Sequence, residues 1–259
     1  MKVTLFTSNQ PRHLYLAKIL SKKYEVFCII EGSSIQSSKM KSNNSFTGLR
    51  HDYFKKVKEA EEKIFGNIGF LKSNINSIHL NMGDINFIKQ NEISDAIDSK
   101  LFIVFGSSYI KGWLCDFLIR KKAINLHMGI SPYYRGSACN FWALYDYRPN
   151  YVGATIHLLD ENIDAGNILC TCKPKYEGED PFIFAMKAVK VGQNKLLEII
   201  KDNSIFAKKP ILQKKNLELR YSLKKDFSDT IIKEYLDRDL SSKNLHRIIE
   251  NSANPKLYK

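Results

Sequence analysis

Three side chains in the middle of this sequence could together carry out an acyl transfer. Asn125 and His127 lie two residues apart at the end of an apolar, β-branched run, so both point to the same face of an extended strand. Asp164 follows where a strand signal meets a turn signal. The amide and the imidazole can donate hydrogen bonds to an oxyanion, and the carboxylate can accept a proton or orient the imidazole. We predict that these three residues form one catalytic site.

Further motifs surround these residues in a fixed order. An Asn-x-His pair precedes a Pro-x-x-Arg-Gly turn, a helix with a Trp, a Gly-x-Thr-Ile strand and an Asp-x-Gly turn. This order resembles the core of the formyltransferase family, whose members transfer a formyl group from 10-formyltetrahydrofolate to an amine. The sugar N-formyltransferases of surface-glycan biosynthesis are the most similar members. Two departures, Ser131 before the Pro and Met128-Gly129 after the His, should reshape the pocket wall without removing a reacting group. The matching positions are Asn125, His127, Pro132, Arg135, Gly136, Trp142, Gly153, Thr155, Ile156, Asp164 and Gly166.

The loop Gly106-Ser107-Ser108-Tyr109 is the candidate folate site. It follows the most hydrophobic strand of the sequence, and ligands of open α/β sheets lie beyond the carboxyl ends of parallel strands. Gly106 lets the backbone approach a planar ring closely. The resemblance implies that this loop helps to form the pocket for 10-formyltetrahydrofolate, and that neither a metal nor a covalent intermediate is needed. The alternative is an ordinary β-α turn.

The N-terminal turn is a candidate site for the second substrate. Ser8 and Asn9 follow the first predicted strand, and Arg12 and His13 begin a helix whose N-terminus could hold an anion. Arg12 and His13 are therefore candidates for binding a phosphate or a sugar carboxylate. The alternative is that they are solvated residues at the start of a helix.

Two residues of the central turn are weaker candidates for substrate binding. Tyr133 and Arg135 lie between the predicted catalytic residues, but Arg135 is better suited to hold the loop by hydrogen bonds to carbonyls or a carboxylate. His157 alternates with Thr155 along a predicted strand, and we expect it to be structural. Trp142 is expected to pack in the core.

Three classes of acceptor amine fit the resemblance. They are an amino sugar on a nucleotide, glycinamide ribonucleotide, and the amino group of initiator methionyl-tRNA. The N-terminal turn lacks the glycine-rich sequence of the glycinamide enzymes, and the tail is too short and too helical for the β-barrel of the tRNA-formylating enzymes. We therefore expect formylation of a nucleotide-linked amino sugar in surface polysaccharide, O-antigen or nonulosonic acid biosynthesis. Formylation of either other acceptor, and hydrolysis of formyltetrahydrofolate, remain alternatives.

Short apolar strands alternate with helical stretches, which predicts an α/β protein with a Rossmann-like, mostly parallel sheet flanked by helices. An antiparallel hairpin and a small C-terminal appendage are expected in addition. We assign residues 1–203 to a catalytic domain and 204–259 to an extension with one or two helices. The predicted strands are 3–7, 25–30, 77–80, 101–105, 123–127, 152–159 and 168–172; the predicted helices are 11–22, 49–65, 85–99, 109–119, 136–147 and 180–201, and 32–47 is a predicted loop.

The net charge of +13 favours anionic partners such as folate, a sugar nucleotide or tRNA, but lysines scattered over solvated faces explain it equally. An RNA- or anion-binding protein is the alternative that is not an enzyme. Basic stripes with interleaved aromatics are lacking in the sequence, so we expect small-molecule substrates and no nucleic acid. The sequence is compatible with a homodimer.

The cysteine content and the length of the apolar runs indicate in which cellular compartment the protein is located. The five cysteines are odd in number and include no CxxC pair, which indicates buried free thiols in a reducing compartment. No apolar run approaches the roughly 18 residues of a membrane span, and the N-terminus does not resemble a signal peptide. We expect a cytoplasmic protein that does not associate with membranes.

Overall fold

A seven-stranded sheet is the central element of the structure, a computed structural model that describes residues 1–32, 45–69 and 71–258. Its spatial order is β3-β2-β1-β4-β5-β7-β8, in which β1 to β5 are parallel and β7 is antiparallel to both of its neighbours. Strands β6 and β9 form a separate parallel pair. The strands are β1 (Lys2–Ser8), β2 (Glu25–Gly32), β3 (Asn76–Asn81), β4 (Leu101–Phe105), β5 (Ile124–His127), β6 (Tyr134–Gly136), β7 (Ala154–Leu158), β8 (Ile168–Cys172) and β9 (Arg220–Ser222).

Helices cover both faces of this sheet. Alternation along β1 directs Val3 and Leu5 to a core shared with α1, α2 and α6, whereas Phe6 packs on the opposite face against α4. The longest apolar helix, α6, begins where Asp180 accepts a hydrogen bond from the Phe182 amide and Pro181 occupies the first turn. The helices are α1 (Pro11–Leu20), α2 (Ser45–Phe65), α3 (Ser94–Ile97), α4 (Gly112–Arg120), α5 (Cys139–Tyr145), α6 (Pro181–Lys201), α7 (Ser204–Ala207), α8 (Asp229–Asp237) and α9 (Ser242–Asn251).

The predicted α/β class, the parallel sheet and the antiparallel hairpin β7–β8 are confirmed. Helix α2 begins at Ser45, earlier than predicted, and most of the predicted loop 32–47 lies outside the described residues. The predicted helix 85–99 is wrong in large part. Short 3₁₀ turns and the single turn α3 replace it. The Glu92 carboxylate accepts a hydrogen bond from the Lys89 amide, and Ile93 and Asp98 depart from helical geometry on either side of α3.

The predicted helix 136–147 also starts late. Residues 134–136 form β6 instead, and α5 begins only at Cys139, after Ala138 in a left-handed conformation. The partner strand β9 lies more than 80 residues further along the chain, beyond the reach of local sequence patterns. This pairing brings the C-terminal segment next to the segment that carries the predicted catalytic residues.

The C-terminal segment 204–258 packs against the rest of the protein along much of its length. Ile232, Tyr235 and Leu245 are buried in the main core. Near the end of the chain, the Tyr258 amide donates to Thr171 Oγ1 at 2.7 Å, and the Thr171 amide donates to the Tyr258 carbonyl at 2.7 Å. The division into two domains at residue 203 stays a prediction. The contacts show that the C-terminal segment packs on the main core and on β8.

The cysteines are free thiols, as predicted, and four of them are buried; Cys172 is partly buried. Cys170 and Cys172 lie on the same strand, β8. Within the ranges that the structure describes, none of the helices is long and apolar enough to cross a membrane.

Replacing Gly136 by Ala should separate β6 from β9. A Cβ atom at this position would lie 1.9 Å from the Ser222 carbonyl oxygen, and the backbone is left-handed, with φ of +90°. Gly83→Ala is the matched control, since its φ is +98° and its Cβ would meet no atom within 4 Å. We expect Gly136→Ala to lower the free energy of unfolding in urea by about 1–3 kcal/mol more than Gly83→Ala does. Equal losses would show that β9 does not depend on this close approach.

Candidate active site

The three predicted catalytic side chains meet at the carboxyl end of β5. Asn125 and His127 project from β5, and Asp164 lies in the loop between β7 and β8. Asn125 Nδ2 donates to Asp164 Oδ1 at 3.0 Å, and His127 Nδ1 lies 3.3 Å from Asp164 Oδ2. The amide and the imidazole therefore bind separate oxygens of one carboxylate.

Asp164 is nearly buried, with 11% of its side chain exposed. Its backbone is left-handed, with φ of +49°, and the Gly136 amide donates to its Oδ2 at 3.1 Å. Burial alone would raise the pKa of this carboxyl, but the positive charge and hydrogen bond of His127 outweigh burial and hold the pKa of Asp164 well below its usual range. Asp164 is therefore ionised at neutral pH.

His127 is buried and has partners at both ring nitrogens. Its Nε2 lies 3.1 Å from the Tyr134 carbonyl oxygen, which can only accept, so Nε2 carries a proton. Burial would lower the pKa of His127, but Asp164 above all, with a smaller contribution from Cys139 on α5, raises this pKa well above its ordinary value. The site therefore holds an imidazolium paired with a carboxylate at neutral pH.

Asn125 lines the cleft with its two amide hydrogens already bonded. One goes to Asp164, and the other points to His157 Nε2 at 3.1 Å. His157 Nδ1 lies 2.7 Å from the Leu158 carbonyl and donates to it, which leaves Nε2 as the acceptor. The reversed amide would place an oxygen against the carboxylate, so this orientation of Asn125 is fixed by electrostatics.

His157 belongs to the same cluster, although we expected it to be only structural. It is 1% exposed, and its Nε2 lies 3.6 Å from Asp164 Oδ1. It reaches the cluster because β7 pairs antiparallel with β5 in a register that places His157 opposite Asn125. We predicted the hairpin β7–β8 from the sequence but not the register between β5 and β7, and it is this register that brings His157 next to Asn125.

A cleft of about 850 Å³ opens above these residues, over the carboxyl ends of β1, β4 and β5. The predicted folate loop, Gly106, Ser107, Ser108 and Tyr109, lines one part of it. Ser108 donates through its backbone amide (2.6 Å) and its hydroxyl (2.7 Å) to the fully buried Glu31 carboxylate. This loop is held rigidly at the rim, and Gly106 adopts a left-handed conformation, with φ of +78°, against the His13 ring.

The residues of the N-terminal turn have different locations. Ser8, Arg12 and His13 line the cleft, whereas Asn9 is exposed and is not part of its wall. His13 is buried at 2.5 Å from Ser8 Oγ, and burial holds its pKa well below the ordinary value, so it is neutral at pH 7. Arg12 Nη1 donates to the buried Glu61 at 2.9 Å. Of the four residues, Arg12 alone offers a positive charge at the cleft.

Tyr133 and Arg135 lie outside the cleft wall. The Tyr133 ring is buried, and its hydroxyl accepts a hydrogen bond from the Lys256 amide at 3.1 Å. Arg135 donates to the Ile163 carbonyl and to Glu218, each at 2.9 Å. Arg135 thus contacts the loop that carries Asp164, and neither Tyr133 nor Arg135 lines the cleft. Their predicted role in substrate binding stays a prediction.

An aromatic wall, far from the predicted folate loop in sequence, was not foreseen. It is built around Tyr53, whose ring contacts several other rings at centroid distances of 5.3–6.0 Å. Arg50 and Lys224 line the same part of the cleft. The wall joins α2 and α5 to the C-terminal segment, so local periodicity gave no sign of it. Its residues are Tyr53, Phe54, Phe141, Phe182, Phe227 and Tyr235.

Comparison with known proteins agrees with this geometry. Residues 116–182, which include all three predicted catalytic residues, match the protein family described as Formyl transferase. A 4-N formyltransferase from Francisella tularensis is 19% identical and has a TM-score of 0.56, covering 87% of this chain and 77% of its own. The formyltransferase from Anoxybacillus kamchatkensis was solved with UDP-4,6-dideoxy-4-formamido-L-AltNAc and tetrahydrofolate. It is 18% identical with a TM-score of 0.52, and the match covers 95% of this chain and 97% of the Anoxybacillus chain.

A glycinamide ribonucleotide transformylase from Symbiobacterium toebii has the same fold, at 12% identity and a TM-score of 0.54, covering 83% of this chain and 94% of its own. At such identities the structural likeness establishes the fold. Asn125, His127 and Asp164 all lie within the segment that matches the Formyl transferase family.

Replacing Asp164 by Asn should lower the pKa of His127. Without the carboxylate, burial becomes the dominant influence on this imidazole, and burial favours the neutral ring. NMR titration of the ring resonances of isotopically labelled histidine would measure the shift. Asp116→Asn, which removes an exposed carboxylate on α4, is the control for the change in net charge. An unchanged pKa of His127 in Asp164→Asn would contradict the ion pair.

Proposed function

We propose that this chain, which belongs to the formyltransferase family through residues 116–182, transfers a formyl group from 10-formyltetrahydrofolate to a nucleotide-linked amino sugar. The observation that carries the proposal is the contact of Asn125 and His127 with the two oxygens of Asp164 at the floor of an open cleft. This cluster joins a hydrogen-bond donor, a buried cation and a buried anion within reach of one bound carbonyl group.

The two parts of the cleft suit two different substrates. The loop 106–109 offers backbone groups and a left-handed glycine, which favours close approach of a flat pteridine ring. In the aromatic wall, the partly buried rings of Phe54 and Phe227 offer a face on which a base can stack. The exposed Lys224 offers positive charge for a diphosphate, whereas Arg12 and Arg50 are paired with Glu61 and Asp229. The sugar nucleotide bound by the Anoxybacillus protein supports the same assignment of the acceptor.

In the proposed reaction the acceptor amine attacks the formyl carbon, and the carbonyl oxygen becomes an oxyanion. The positive charge of His127 lies at the floor of the cleft and stabilises that oxygen. Asn125 can add a donor if it releases one of its present bonds. The bond to His157 is the weaker of the two, because the bond to Asp164 is charge-assisted.

Collapse of the intermediate breaks the bond between the formyl carbon and N10 of the folate. The amine loses one proton and N10 gains one, so the reaction moves a proton across the site without a net change. The ionised Asp164 draws the proton from the amine directly or through water and returns it to N10, while His127 keeps both ring protons. The 3.3 Å pair of His127 and Asp164 therefore ends the reaction with its starting charges.

Single alanine substitutions at Asn125, His127 and Asp164 should each lower kcat by roughly 10²–10³-fold, because each removes a group that acts on the developing charge. The folded state should persist, as judged by near-ultraviolet circular dichroism. His79→Ala is the matched control, since this histidine is exposed on β3. If His127→Ala keeps a kcat close to that of the wild type, the proposed role of the imidazolium is wrong.

A panel of acceptors tests the substrate. UDP- and dTDP-linked amino sugars, glycinamide ribonucleotide, initiator methionyl-tRNA and a reaction without acceptor are each incubated with 10-formyltetrahydrofolate. We expect an amino-sugar nucleotide to gain one formyl group by mass spectrometry, with kcat/KM roughly a hundredfold or more above the other acceptors. Faster formylation of glycinamide ribonucleotide, or consumption of the folate without any acceptor, would overturn the proposed acceptor.

A further inference from the structure

The loop that carries Asp164 is held by a side chain from the C-terminal segment. Gln213 Nε2 donates to the Asp164 carbonyl at 2.8 Å and to the Gly166 carbonyl at 2.6 Å. One amide group therefore uses both of its hydrogens on two carbonyls of a single turn. Its Oε1 is buried with no hydrogen-bond partner among the described residues, and reversing the amide would set that oxygen against both carbonyls. The two donated bonds fix this orientation.

Gln213 is placed there by backbone pairing. The Ile168 and Ile211 amides each donate to the other's carbonyl at 2.8 Å, which forms an antiparallel bridge at the start of β8. Two residues beyond this bridge, the Gln213 side chain meets the loop that precedes β8. A Cβ at Gly166 would lie 1.7 Å from the Leu158 carbonyl oxygen, so the loop is also pressed tightly against β7.

Ile163, the residue before Asp164, is also linked to the C-terminal segment. Arg135 donates to the Ile163 carbonyl and forms an ion pair with Glu218, five residues after Gln213. The turn around Asp164 thus lies between two side-chain clamps, both of which depend on residues 211–218. The left-handed φ of +49° at Asp164 is an unfavourable conformation for a residue with a side chain, and such conformations persist only where surrounding contacts enforce them.

We infer that Gln213 is a positioning residue of the proposed formyl transfer: by binding the carbonyls of Asp164 and Gly166 it holds the Asp164 carboxylate against His127. This inference rests on the proposed function for its kinetic consequence, but its structural part does not require any substrate. Gln213 lies outside the residues that line the cleft and acts only through Asp164. Catalytic groups tolerate errors of only about 0.5 Å in position, so loosening this turn should impair the chemical step.

The side chains that face His127 are Asp164 from the loop, His157 from β7 and Cys139 from α5. Gln213 donates its two hydrogen bonds to backbone carbonyls and to none of these side chains, and it is uncharged. A change in the pKa of His127 after substitution of Gln213 must therefore pass through the position of Asp164. Because Asp164 raises this pKa, displacement of Asp164 should lower it.

The experiment compares the full chain with Gln213→Leu, which keeps the size of the side chain but removes both donors, and with Gln213→Ala. We expect kcat to fall roughly tenfold to a hundredfold, with KM for both substrates changed less than about twofold. The pKa of His127 from NMR titration should fall toward its value in Asp164→Asn. Leu212→Ala, whose side chain is 73% exposed in the same segment, is the control and should leave both quantities unchanged.

The NMR measurement uses the protein without substrates, so it separates this inference from the proposed function. If no acceptor in the panel is formylated but the pKa of His127 falls in both Gln213 variants, the positioning contact stands and the proposed reaction fails. A pKa of His127 equal to that of the wild type in a folded Gln213→Leu or Gln213→Ala protein would overturn the inference. A fall in stability without a change in this pKa would likewise reduce Gln213 to a structural residue.

Discussion

The buried pair of Asp164 and His127 is the interaction on which the rest of the site depends. Removing a carboxylate from water costs several kcal/mol unless hydrogen bonds and an opposite charge compensate it. Here the compensation comes from β5 through Asn125 and His127 and from the turn before α5 through the Gly136 amide. Both pieces of chain must be in place before the buried carboxylate is compensated. All of these groups lie between residues 125 and 164.

The pairing of β7 with β5 also shapes the site. Strand β7 begins beside the carboxyl end of β5, with Thr155 opposite His127, and ends with Leu158 opposite Ile124. The loop between β7 and β8 then turns back over β5, where Asp164 contacts Asn125 and His127. The same antiparallel register sets His157 opposite Asn125.

Much of this could be predicted from the sequence, because the signals were local. Most strands of the sheet have apolar runs, and the hairpin β7–β8 has a turn between two such runs. Asn125 and His127 are two apart on one strand. Prediction failed where the determining partner was distant. The strand β6 exists because β9 pairs with it, and His157 joins the cluster because of the β5–β7 register. His13 was a candidate for binding an anion because it lies at the start of a helix, but burial against Phe105 keeps its ring neutral.

The pairing of β6 with β9 has a consequence for how the protein matures during synthesis. The sheet and all the side chains of the cluster lie before residue 203, so they emerge from the ribosome first. Until Ser222 has emerged, Gly136 lacks the strand against which it packs, and the turn that offers its amide to Asp164 has no lateral support. A nascent chain that ends before Ser222 thus contains every strand of the seven-stranded sheet but not the strand that supports the turn at Gly136. The last support of the reaction centre is therefore also the last to be synthesised.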